Sequence, residues 1–249
     1  MLGGMIILLS IVAVSGTMVI PMSENGKANA QAQDHSPVFN GEDIGRIDFI
    51  HYAKPDGIGK PPSAVKPPKV DTCYDLMGIR WKSLPVNYIV NPSNTQSLPQ
   101  GFITDAISAS ALTWDDSTSS GLFAAGTTGD VRYRVFDGMN AITFGDDDPG
   151  IIAVTSVWYS RRTKEILEFD IRFNEYYTWG EATLSADDPD CMDLQNIATH
   201  ELGHAVGLGD VYNPDCSAVT MYGYSDYEDI EKRDLELPDI TGLQSIYGA

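Results

Sequence analysis

Apolar and polar positions along the chain change rhythm several times, and each rhythm predicts an element. Residues 5–20 are almost continuously apolar, and no charge occurs before Glu24. Residues 24–69 show little periodicity and many breakers, ending in Pro61-Pro62 and Pro67-Pro68, a composition that favours an extended connector. Within it the apolar patch 44–52 is too short to fold alone and would need a surface to dock on. From Asp71 onward strand and helix signatures alternate to the end of the chain. Residues 85–90 predict a strand closed by the turn formers Asn91 and Pro92. Ile103, Ala106, Ile107, Ser110, Ala111 and Trp114 then recur at the spacing of one buried helical face. Alternation or β-branched and aromatic runs predict strands at 131–136, 141–144, 151–159 and 166–173, and a second helix is expected over 192–208. The architecture predicted is α+β: a twisted mixed sheet of about five strands with a packing helix, a second helix over 192–208 and a C-terminal helix.

Composition narrows this picture. With 43% hydrophobic residues in 249, the chain can bury a real core, and its length suits one domain plus accessory segments. A formal net charge of −19 argues against phosphate-backbone binding, so no nucleic-acid partner is expected. The division read from the sequence is 1–30 as signal peptide or N-terminal membrane anchor, 31–70 as Pro-rich linker or short pro-segment, and 71–249 as the main folded domain. A cleaved signal fits the small-residue site Ala28-Asn29-Ala30, although no positive charge precedes the apolar run, and about 20 apolar residues also suffice to span a bilayer. Either way the domain is expected outside the cytoplasm, secreted or at the cell surface. Any membrane contact is expected only through the N-terminal segment if it is not cleaved.

The chemistry concentrates on the second helix. His200-Glu201-Leu202-Gly203-His204 forms the H-E-x-x-H pattern, and side chains four apart on a helix lie on one face, so the two imidazoles converge on one point. Neutral imidazole is a good zinc ligand, and a catalytic zinc site uses three protein ligands with one position left open. Glu201 flanks the same face and can act as general base on a water there. Of the four histidines, His35 and His51 fall in the presumed linker, so the third ligand must be of another type. Gly207 lets the helix end in a left-handed turn that brings Asp210 beneath the metal. Glu228 and Glu231 are the competing third ligands.

The run from His200 through Gly207 to Asp210 resembles the long zinc signature of the metzincin metallopeptidases, and Thr220-Met221-Tyr222-Gly223 resembles their Met-turn. Residues 81–88, 169–174 and 239–248 resemble the matrixin branch, so the resemblance covers about residues 71–249. Most of the family carries histidine where Asp210 stands, and a group of secreted microbial members similar to snapalysin uses aspartate. The resemblance implies a zinc-dependent endopeptidase acting on extracellular protein or peptide. It implies that Met221 lies beneath the metal as a floor. It also implies that Tyr222 and Tyr224 line the pocket for the residue after the scissile bond, and that Ile152, Ala153 and Val154 belong to an edge strand that pairs with substrate. The rival readings are a zinc peptidase with a glutamate ligand and a non-catalytic zinc-bearing surface or binding protein.

Cysteine use fits an oxidising compartment. Cys191 and Cys216 bracket the zinc segment, and a bridge between them would brace both its ends. Cys73 is then left over. The cysteine-switch motif of matrixin pro-segments has Arg before its cysteine and Gly after it, whereas Thr72 and Tyr74 flank Cys73, so a buried thiol or another pairing stays open. The acidic clusters 146–148 and 187–190 offer hard oxygens for a structural calcium, although most such clusters are solvated loops. A monomer is expected.

Overall fold

The structure is a computed structural model that describes residues 43–54, 73–184 and 190–249. The export signal or anchor, the connector 55–72 and most of the acidic cluster at 187–190 lie outside the described residues. In chain order the strands are β1 (Ile44–Ala53), β2 (Asp75–Leu76), β3 (Ile89–Val90), β4 (Thr127–Thr128), β5 (Ala141–Gly145), β6 (Ile151–Ser160), β7 (Ile166–Asn174), β8 (Thr178–Gly180), β9 (Cys191–Asp193), β10 (Leu208–Gly209) and β11 (Tyr224–Ser225). The helices are α1 (Gln100–Asp115), α2 (Leu194–Ala205) and α3 (Leu237–Tyr247). This is the expected α+β architecture, with a larger sheet than the five strands read from the sequence.

The main sheet has the strand order β11-β1-β6-β7-β5-β3-β4. Strands β3, β5 and β7 run parallel, whereas β6 is antiparallel to both of its neighbours, β7 and β1. The six positions expected to form the buried face of α1 are the ones that are buried. They pack α1 against α2: Trp114 Nε1 donates to the Thr199 carbonyl at 2.8 Å, and Ser110 Oγ donates to the Gln195 carbonyl at 3.1 Å.

Two departures bear on the site. The patch expected to belong to a linker is β1, a ten-residue strand of the main sheet, and it lies along the free side of β6 from Ile44↔Ser160 to Tyr52↔Ile151. Strand β6, with Ile152, Ala153 and Val154, is therefore interior in this structure rather than an edge. Residues 131–136, expected to be a strand, form no ladder; buried carboxylates of β7 take backbone donors within the segment and just beyond it. Val135 N donates to Asp170 Oδ2, and Asp137 N donates to Glu168. The segment packs across the sheet, with Phe136 stacked on Trp158 and Arg134 paired with Asp48 of β1.

The disulfide also differs from expectation. Cys216 bonds Cys73, with Cα atoms 5.4 Å apart, and Cys191 is buried outside the bridge. The bridge ties the chain entering the domain to the segment that follows Asp210. It does not span the two ends of α2, because Cys191 sits in β9, whose ladder runs to β8.

Candidate metal centre and active site

Helix α2 starts where the Asp193 side chain accepts from Asn196 N at 2.8 Å, an N-cap that also receives Arg233 Nε at 2.8 Å. It ends at Gly207, whose φ of +102° suits glycine, and a Cβ there would meet the Ile79 carbonyl oxygen at 2.7 Å. The chain reverses and β10 pairs with β2. Asp210 thereby lies opposite the two histidines.

His200 Nε2 and His204 Nε2 are 3.2 Å apart, and Asp210 Oδ1 lies 3.1 Å from the first and 3.4 Å from the second. The outer ring nitrogens fix the tautomers. His200 Nδ1 donates to the Thr220 carbonyl at 2.7 Å and His204 Nδ1 donates to the Leu208 carbonyl at 2.8 Å, so both Nε2 lone pairs face inward. Asp210 Oδ1 is buried and has no hydrogen-bond partner. Two imidazole lone pairs and one carboxylate oxygen aimed at a common point fit a divalent cation of the zinc type. Tyr212 Oη donates to the other Asp210 oxygen at 3.0 Å and orients the carboxylate.

Electrostatics agree with this fit. Burial and the nearby Lys232 push His200 down to about 3, which keeps it neutral. Burial alone would lower His204, yet the Asp210 carboxylate raises it. Burial likewise opposes ionisation of Asp210, but the two imidazoles hold it below the usual carboxylate range. The cluster thus competes for a positive charge, which a metal supplies by displacing the proton. Glu201 is pushed up to about 7 by burial, and its Oε2 accepts from Thr155 Oγ1 of β6 at 2.5 Å. The competing ligands Glu228 and Glu231 are both exposed and do not join the cluster.

Met221 is fully buried and packs under α2, where a Cβ on Gly203 would strike its Sδ at 2.2 Å. The Met-turn is tied to α3 by Asp239, whose carboxylate accepts from Thr220 N at 2.9 Å and Met221 N at 3.1 Å. In the acidic cluster 146–148, Asp147 is engaged by Arg172, with Nε at 2.8 Å.

Reasoning from sequence sets His51 aside, and the structure places it in the site. Its Nδ1 is 3.0 Å from Glu201 Oε1, its ring lies 3.9 Å from that of His200, and Phe49 stacks on His204 at 4.1 Å. Strand β1 runs antiparallel to β6 and parallel to β11, so it fills a slot one peptide wide across the donor atoms. Tyr224 pairs with Tyr52 on the far wall, and the Tyr222 carbonyl accepts from buried Lys232. Ser225 and Lys232 also escape sequence reasoning, since neither has a local signature. A histidine amid the strand-length apolar run 44–52 is the one signal that marks β1 for attention.

Comparison with known proteins agrees with this geometry. The chain is 28% identical over 177 residues to the hatching enzyme of Paracentrotus lividus, covering 69% of this chain and 27% of that protein. It is 32% identical over 130 residues to the macrophage metalloelastase of Oryctolagus cuniculus, 51% of this chain and 22% of that protein. With stromelysin-1 of Rattus norvegicus the identity is 26% over 174 residues, 68% and 33% respectively. The matches span about a fifth to a third of the length of these relatives. The profile of the Peptidase M10 (Matrixin) family matches residues 80–248, and the chain belongs to that family.

Proposed function

We propose that the protein is an exported zinc endopeptidase that cleaves extended peptide chains, and that its own strand β1 closes the site. The observation that carries the reading is the convergence of His200 Nε2, His204 Nε2 and Asp210 Oδ1 beside the carboxylate of Glu201. His200, His204 and Asp210 would hold the metal. A zinc ion held there supplies a Lewis acid that sharpens water as a nucleophile and polarises a carbonyl. Glu201 takes the proton of the attacking water and returns it to the departing amine. A carboxylate raised to about 7 is suited to both halves of that transfer at neutral pH. Thr155 and the hydrogen bonds on the outer histidine nitrogens keep base and ligands in one orientation.

Substrate reaches this centre by strand addition, in the slot between β6 and β11. Strand β1 occupies that slot, and its His51 holds Glu201, so hydrolysis requires β1 to leave. The connector 55–72, rich in proline and glycine, is where a cut would separate β1 from the rest of the domain. The disulfide of Cys73 lies on the domain side of that cut. The apolar N-terminal run fits delivery outside the cytoplasm. Exposed Glu228 and Glu231 give no support to the rival glutamate-ligand site.

The test uses the full chain with a recognition site for an unrelated protease inserted in the connector. Zinc content and hydrolysis of a mixed peptide library are measured before and after cutting. About one zinc per chain, weak hydrolysis before and strong hydrolysis after is the expected result. A purified chain that binds no zinc, or one that stays inactive once β1 has been separated, overturns the reading.

A further inference from the structure

Behind Glu201 the His51 imidazole enters a closed pocket whose floor has an unusual composition for a site that receives a side chain. Its Nε2 lies 3.0 Å from Ser225 Oγ and 3.2 Å from Lys232 Nζ. Lys232 is only 5% exposed, and its ammonium also donates to the Tyr222 carbonyl. An ammonium has protons to give and no lone pair to offer, so Nε2 must be an acceptor. The ring proton therefore sits on Nδ1 and is donated to Glu201 Oε1. Burial, reinforced by His200 and Lys232, holds His51 well below the usual histidine range, in agreement with a neutral ring. Burial lowers Lys232 only to about 8, which leaves it protonated at neutral pH.

The position of the ammonium is built into the fold. Lys232 N donates to Asn196 Oδ1 at 2.7 Å, and Asn196 lies on α2 one turn before His200. The active-site helix thus fixes the depth at which the charge sits. Phe49 stacks on the His204 ring and His51 lies tilted against the His200 ring, so the chain between them passes the three donor atoms. A peptide bound with the polarity of β1 would send the side chain next along from the attacked carbonyl into the same pocket.

We infer that Lys232 is a specificity-determining residue of the peptidase, and that with Ser225 it selects substrates bearing glutamate or glutamine at the residue following the cleaved bond. The reach agrees: a Glu or Gln side-chain oxygen is three bonds beyond Cβ, as His Nε2 is, whereas an Asp oxygen is two. An apolar side chain of the same length, such as methionine, would leave a buried ammonium and a hydroxyl without an acceptor, and sites built to hydrogen-bond a substrate reject analogues that cannot do so. The inference rests on the peptidase reading above and adds to it the class of side chain that the site accepts.

The experiment uses the full chain, zinc-loaded and cut in the connector, with peptides that differ at one position as Glu, Gln, Asp, Leu or Met. Identifying the new N-terminus of each product fixes the register. The Glu and Gln peptides should exceed the Met peptide in kcat/KM by at least about tenfold, the scale of one charge-assisted hydrogen bond. Lys232→Met should abolish or invert that ranking, and Lys232→Arg should keep it. The wild-type ranking needs no variant, and Ser225→Ala, which removes one donor, should narrow the gap should Lys232→Met fail to fold. Met or Leu equal to or better than Glu and Gln in the wild-type protein overturns the inference while leaving the peptidase reading intact. Failure to cleave any peptide with zinc bound overturns the peptidase reading itself.

Discussion

Helix α2 and strand β1 meet at the same buried carboxylate, Glu201, yet they are fastened to the molecule by different means. Side chains on every side hold α2. Asp193 caps it and pairs with Arg233, Trp114 and Ser110 bond its carbonyls from α1, and Thr220 and Leu208 hold its histidines. A backbone ladder holds most of β1, supplemented by Asp48, which accepts from Ser156 Oγ at 2.7 Å and pairs with Arg134, by His51, bonded to Glu201, Ser225 and Lys232, and by the stacking of Phe49. A ladder is indifferent to the side chains of whichever peptide forms it. The difference fits the proposal that α2 is machinery and β1 an occupant, replaceable by another extended chain.

The sharpest way to break the comparison is to remove the group the two elements share. Glu201→Ala in the cut protein should leave zinc content unchanged and lower kcat by about 10²–10⁴-fold, the usual contribution of a general base. Metal analysis and single-turnover kinetics check both halves. Equal activity in the variant would dismiss Glu201 as the base.

The next effect falls on α2 alone. Asp193 is buried and paired with an Arg233 side chain that is 18% exposed, so Asp193→Ala removes both a cap and a charge-assisted pair. A loss of about 3 kcal/mol in denaturant unfolding is expected, combining a cap of about 1 kcal/mol with the ionic hydrogen bonds. An unchanged midpoint would show that α2 is held by its apolar contacts alone.

Much of α2 can be read from the chain because its determinants are local. Capping, a 3.6-residue period, the four-residue histidine spacing and a glycine with a required positive φ are all written in adjacent residues. The same holds for α1, whose buried face matches the periodicity residue for residue. Strand β1 escapes because its partner, β6, lies about a hundred residues away and its flanks are poor in pattern. The run 44–52 shows that it is apolar but not what covers it. Residues 131–136 fail for the complementary reason: they have the strand pattern, but Asp170 takes the Val135 donor and Glu168 takes the Asp137 donor just beyond the segment. Three cysteines permit three pairings, and bracketing the zinc segment did not distinguish them.

A smaller effect is expected from β1. His51→Ala in the uncut chain removes the hydrogen bond that holds Glu201 and empties the Lys232 pocket. Hydrolysis by the uncut protein should rise by about tenfold to a hundredfold, the equivalent of one hydrogen bond to a charged group. Peptide assays on uncut wild type and variant decide it. No increase would mean that the backbone ladder alone keeps β1 in place.

The smallest expected effect concerns the loop that packs over β1 and β6. Burial pushes Glu168 up to about 7, and burial together with the charge of Glu168 pushes Asp170 up to about 8. Unfolded carboxyls titrate near about 4, so between about pH 4 and 8 the folded chain holds more protons than the unfolded one. Stability from this pair is therefore lost as pH rises through that window. Asp170→Asn removes one of the two titrations and the Asp170–Glu168 repulsion. Its melting temperature, measured relative to wild type, should accordingly rise between pH 5.5 and 8, whatever the offset caused by losing an acceptor for Val135 N or Ala141 N. A gap that stays constant with pH would mean that both carboxylates are already ionised at pH 5.5, each stabilised by the backbone donors it receives. The loop over β1 would then be fastened by charge, as α2 is by Asp193, and the contrast between the two elements would narrow.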